Sequence, residues 1–134
     1  MDSGKTNSYE DLTVWQLAMD LAEGCYRIVR QFPSVDRYGL EAQLLESAID
    51  LPALIADAYN KSSPAGFIGN INDALASLAR LETQVLVAER LMYCNAGQRM
   101  DMLKKMQSIK WLLVQLRKAF RKPANRNSSE TTGI

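Results

Sequence analysis

The 134-residue chain contains no histidine. It therefore lacks the commonest general base, the commonest zinc ligand and the usual pH switch. The two thiols, Cys25 and Cys94, have no imidazole to activate them as nucleophiles. Their wide separation in sequence suggests reduced cysteines of a cytoplasmic protein, not a disulfide framework. Gly66 and Gly69 lie near the start of a helical pattern with no strand before them, so neither a P-loop nor a dinucleotide fingerprint is present. A di-iron site in a helical bundle needs inward Glu-x-x-His pairs, which this composition cannot supply. With no nucleophile–base pair, the sequence predicts no enzymatic activity, cofactor, metal or small-molecule substrate.

Three constellations remain. Glu82 has Leu78, Ala79, Val85 and Leu86 as its neighbours at helical spacing, which points it beside an apolar seam. There it either orients a partner chain or an Arg, or sits at a rim where its carboxylate reaches water. Trp15, Met19 and Tyr26 form an apolar stripe that fits a subunit contact, a wide core face or, third, a ligand groove.

The last constellation is charge. Residues 1–97 carry seven Lys/Arg and thirteen Asp/Glu, a net of −6, whereas residues 98–134 carry nine Lys/Arg against Asp101 and Glu130, a net of +7. The cations cluster at Lys104, Lys105 and Lys110, then at Arg117, Lys118, Arg121, Lys122 and Arg126. Such a cluster suits RNA or DNA phosphates. It equally suits a solvated face whose positive end complements a helix C-terminus. The whole chain is near neutral at +1, which excludes a globally polyanion-seeking protein.

The elements that must position these groups are helical throughout. Residues 1–8 and 123–134 lack apolar periodicity and read as disordered tails around one domain at 9–122. A first helix over 11–32 starts after Asp11 as N-cap and ends before Pro33, with Val14, Leu17, Leu21, Cys25, Ile28 and Phe32 on one face. A second over 39–60 carries Pro52 within an unbroken apolar phase, which predicts a kink and not a break. Ser63 and Pro64 open a third helix over 64–94, which Gly97 closes as a left-handed cap. The fourth spans 98–121 and stops at Pro123. Four matched amphipathic helices with short connections form an antiparallel up-down-up-down bundle. No basic start precedes an apolar run, and no uninterrupted apolar stretch is longer than Trp111–Val114, so the sequence predicts no signal peptide or membrane span.

The first helix also carries a resemblance. Leu12, Val14, Trp15, Gln16 and Ala18, followed by Phe32 and Pro33, match the opening of a known family. The match continues through Tyr38, Gly39, Leu40 and Gln43, Ile55 and Ala56 after Pro52, and Leu81 and Glu82. Over about residues 10 to 95 the chain resembles the four-helix-bundle proteins encoded in 23S rRNA intervening sequences. The resemblance implies a left-handed bundle assembled as a homopentamer. It extends to the accessory proteins of diversity-generating retroelements, which bind nucleic acid and a reverse transcriptase, and to relatives called ribosomal proteins. It brings no catalytic activity and no established site residues.

The second helix departs from that pattern. Leu45 and Glu46 stand where a basic pair is common, and Asp50–Ala58 loses the usual Asn and Gly. The nucleic-acid expectation therefore rests on the fourth helix. The function expected is a non-enzymatic homo-oligomeric module with Trp15, Met19 and Tyr26 at its subunit contact. It would contact RNA or DNA, and an associated protein, through Lys104, Lys105, Lys110, Arg117, Lys118, Arg121 and Lys122. The alternative is a protein-only scaffold or adaptor.

Overall fold

The computed structural model describes the backbone of residues 8–132 and the side chains of residues 8–120. Among them there are four long helices and no strand: α1 (Thr13–Ile28), α2 (Ala42–Tyr59), α3 (Pro64–Arg90) and α4 (Ala96–Thr132). The helical segments expected from sequence are all present, and the protein is all-α.

Most differences lie at the ends. Asp11 is not the α1 cap. It closes a short 3-10 turn, Tyr9–Asp11, whose own cap is Ser8; the Ser8 hydroxyl accepts from the Glu10 amide at 3.1 Å. Leu12, extended at φ −76° and ψ 127°, precedes α1 with no side-chain cap while its side chain packs on the core. Burial of Leu12 thus outweighs the local preference for an acidic cap. Ser8 of the expected N-terminal tail is the cap of that 3-10 turn, and residues 1–7 lie outside the described residues.

After α1 a 3-10 turn leads to Phe32, extended as a residue before proline must be. A wide π-type turn, Arg37–Glu41, then feeds α2. Asp36 caps it, its Oδ1 accepting from the Leu40 amide at 3.0 Å. Gly39 lies against that carboxylate, and a Cβ there would collide with Asp36 Oδ1.

The helix α2 runs unbroken through Pro52, which is buried. Proline removes one amide donor and crowds the preceding turn. In that turn the Ser47 carbonyl receives the hydroxyl of Ser77, reaching across from α3 at 3.1 Å. Nearer the helix end, Asn70 Nδ2 donates to Asp57 Oδ2 at 2.8 Å. The two bonds pair advancing positions on α3 with retreating ones on α2, so these helices run in opposite directions.

Ser63 caps α3 as expected, accepting from Gly66 N at 3.1 Å, with Pro64 in the first turn. The exit differs. Met92, not Gly97, takes the left-handed conformation, at φ 65°. The Tyr93 amide donates to Ala88 O and the Met92 amide to Glu89 O, both at 2.9 Å. This is the paired-bond ending that usually recruits glycine. Gly97 instead lies in the first turn of α4, because Asn95 forms a capping box with Gln98: Gln98 N to Asn95 Oδ1 is 2.8 Å and Asn95 N to Gln98 Oε1 is 3.0 Å.

The helical backbone of α4 does not stop before Pro123 but continues to Thr132. A proline deletes a single bond of the ladder and leaves the others available. Gly133 and Ile134 of the expected tail lie outside the described residues.

In cross-section α1 adjoins α2 and α4, while α3 lies between α2 and α4. Leu21, Leu44, Leu51, Ile71, Leu81 and Ile109 fill the centre, each nearly inaccessible to solvent. Arg99 and Glu89 join α4 to α3 at one end at 2.9 Å, and Phe120 stacks on Phe67 at the other with centroids 3.9 Å apart.

Two substitutions test these details in opposite directions. Met92→Gly removes a left-handed non-glycine residue and should stabilise the protein by about 0.5–1 kcal/mol in urea unfolding. Ser77→Ala leaves the Ser47 carbonyl with one partner fewer and should cost about 1–2 kcal/mol in the same measurement.

Candidate nucleic-acid interface

Helix α4 has 3.6 residues per turn, so its buried row decides where each cation among the described side chains points. Met102, Met106, Ile109 and Leu113 are buried. The opposite side therefore carries Lys104, Trp111 and Lys118, all exposed. Trp111 retains 62% of its surface in solvent and Met100 59%.

The remaining described cations do not join that face. Lys110 and Arg117 turn towards α3, where Arg117 Nη1 donates to Asn72 Oδ1 at 2.7 Å. Lys105 pairs with Asp101 at 3.2 Å, one helical turn away. Both partners are more than half exposed, so the pair adds little stability but partly neutralises the cation. The expected cluster thus divides into an outward pair, a pair in the α3–α4 groove and a compensated lysine. The side chains of Arg121, Lys122 and Arg126 lie outside the described residues.

Glu82 shares the α3–α4 groove, a cleft of about 160 Å³ lined also by Leu75, Leu78 and Gln107. It is half-buried, and the nearby Arg117 directs its guanidinium to Asn72. On α1, Met19 and Tyr26 are 44% and 47% exposed, and Ile49 of α2 is 47% exposed. Trp15 is half-buried against the core and meets Tyr9 edge-on with centroids 5.4 Å apart. Tyr26 borders a cleft between α1 and α2 with Leu45, Arg30 and Arg37. Sequence spacing missed those two arginines, because their approach depends on the turns joining the helices.

One end of the bundle is held by polar contacts. Gln31 and Gln98 exchange amide hydrogen bonds at 2.9 and 3.2 Å, and Gln31 also donates to the Tyr93 carbonyl at 3.0 Å. The Tyr93 hydroxyl donates to Asp36 Oδ2 at 2.9 Å, and this bond, with some burial, raises its pKa. Neither cysteine is disulfide-bonded. Burial pushes the Cys25 thiol up to about 12, only partly opposed by the charge of Lys105. Burial first and Glu89 second raise Cys94, with Arg99 opposing. Both thiols are therefore protonated and weakly nucleophilic at neutral pH. Among the described residues no group of three Cys, Asp or Glu is placed to hold a metal ion, and no helix is long and apolar enough to cross a membrane.

The family model described as 23S rRNA-intervening sequence protein matches residues 10–115. The chain belongs to this family. Lys104, Lys105, Lys110 and Trp111 fall within the match to the 23S rRNA-intervening sequence proteins, whereas Arg117, Lys118 and the later cations lie beyond it. A solved structure from Bacteroides thetaiotaomicron, a protein of unknown function from the S23 ribosomal protein family, is similar at a TM-score of 0.74 and 21% identity. The likeness covers 79% of this chain and 99% of that one, and at this identity it shows a shared fold. No curated protein matches the chain.

The buried thiol gives this family member a defined pH response. Cys25 has a folded-state pKa near 12 against 9.0 unfolded, so the native state keeps its proton where the unfolded state loses it. That stabilisation is complete below pH 9 and is lost as pH rises towards 12. Cys94 and Tyr93 shift in the same direction. Urea unfolding at a series of pH values should show stability falling above pH 9, with a shallower fall in Cys25→Ala. Equal slopes in the two proteins would contradict the assignment.

Proposed function

We propose that this protein is a non-enzymatic, self-associating helical module that contacts nucleic acid through the outward face of α4. The observation that carries the reading is the exposure of Lys104, Trp111 and Lys118 on one side of that helix. Asp101 is the one carboxylate among residues 98–120, and it is paired with Lys105. Residues 1–97 are net acidic, so a polyanion is repelled from most of the molecule and attracted to this helix.

Self-association supplies what one chain lacks. A net charge of +1 per chain attracts a polyanion weakly, but repeating the α4 face around a closed assembly multiplies the phosphate contacts. The exposed Met19 and Tyr26 of α1, with Ile49 of α2, offer an apolar surface for such an assembly. A cyclic homopentamer is the form implied by the resemblance in the first helix. In this reading Lys110 and Arg117 contribute from the α3–α4 groove, and Lys105 contributes less because of Asp101.

Binding should be non-specific in sequence and steeply salt-dependent. In a salt titration with structured RNA and duplex DNA, Lys104→Glu/Lys118→Glu should weaken binding at low salt. It should also reduce the slope of log K against log salt by about 2 per engaged subunit. No binding at low salt, or binding indifferent to this charge reversal, would support the protein-only scaffold instead. In sedimentation at micromolar concentration, Met19→Asp/Tyr26→Asp should shift the wild-type oligomer towards monomer. A monomeric wild type would reject the self-association.

A further inference from the structure

We infer that Trp111 is a stacking platform for an unpaired base, so that the ligand class of α4 is single-stranded nucleic acid in preference to duplex. This rests on the reading of α4 as a nucleic-acid face and narrows it. The indole is 62% exposed at the middle of that face. Lys104 and Lys118 lie two helical turns away on either side, about 10 Å along the axis, and both are exposed. Lysine stems can swing towards the phosphates flanking a nucleotide whose base lies on the indole. Ser108 and Gln115, one turn from Trp111 on the same side, offer a hydroxyl and an amide to base edges.

A large exposed aromatic residue costs solubility unless something covers it, and the chemistry around it selects what does. An apolar protein surface would bring two lysines close to low-dielectric material with no counter-charge. A single strand provides both elements, a π-face for the indole and phosphates for the ammonium groups. A duplex provides the phosphates but keeps its base faces covered by their stacked neighbours. Every base has a π-face, so this site tolerates any sequence and separates paired from unpaired strands.

The test uses the full chain with a short oligo-dT strand, a mixed-sequence duplex of equal length, and the variants Trp111→Ala and Trp111→Phe. Wild type should bind the single strand about tenfold more tightly than the duplex at equal salt. Trp111→Ala should weaken single-strand binding by about ten- to a hundredfold, leave duplex binding nearly unchanged and preserve the salt slope, since no phosphate contact is lost. Trp111→Phe should retain most of the affinity. Equal loss for both ligands, or no loss for either, would overturn the stacking role while leaving a nucleic-acid-binding α4 in place. Absence of binding to either ligand would overturn both readings. A change in sedimentation coefficient on Trp111→Ala would identify Trp111 as a subunit contact and also overturn the proposal.

Discussion

The register of α3 against its neighbours is the constraint from which the rest of the molecule follows. On the α2 side it is set by the buried hydroxyl of Ser77 on the Ser47 carbonyl and by Asn70 on Asp57. Ser47, Ala48, Ala74 and Ser77 are all buried, and small side chains at that contact bring the two backbones close. A hydroxyl reaches a neighbouring backbone carbonyl only at such an approach. A slip of one residue would remove both bonds and turn the apolar rows out of the core by about 100°.

From α3 the constraint passes to α4. The Glu89–Arg99 pair, the Arg117–Asn72 hydrogen bond and the Phe67–Phe120 stack join the two helices at both ends and along the groove between them. The Gln31–Gln98 exchange ties the start of α4 to the 3-10 turn that follows α1, and the Asn95–Gln98 capping box fixes where α4 begins. Together these contacts fix the rotation of α4 about its own axis. That rotation decides that Lys104, Trp111 and Lys118 face solvent while Met106 and Ile109 face the core.

Charge is distributed to the same end. The acidic excess of residues 1–97 and the basic excess of residues 98–134 nearly cancel over the chain, yet they occupy different helices. Separation of this kind leaves net charge uninformative and local field informative. The apolar residues Met19, Tyr26 and Ile49 are exposed on α1 and α2, away from the helix that carries the basic face, so the proposed assembly and the proposed ligand contact would use different surfaces.

Much of the fold was legible because burial of a helix face imposes a period that any single stripe reveals. Val14 to Ile28 on α1 and Phe67 to Ala88 on α3 show it directly, and Ser63 with Pro64 marks a start that local backbone chemistry explains. The helix ends were less legible. Leu12 displaced Asp11 by gaining burial, and Met92 took the left-handed position because the chain must turn there to bring Tyr93 to Asp36 and Phe32. For the candidate interface, the sequence by itself determined that cations and an indole share the fourth helix, and helical spacing placed positions 104, 111, 118 and 122 on roughly one side of it. Only the tertiary structure decided that Trp111 is exposed and that Arg117 is held by Asn72. Periodicity within one helix is a local property of the chain, whereas exposure and pairing across helices depend on residues far apart in sequence.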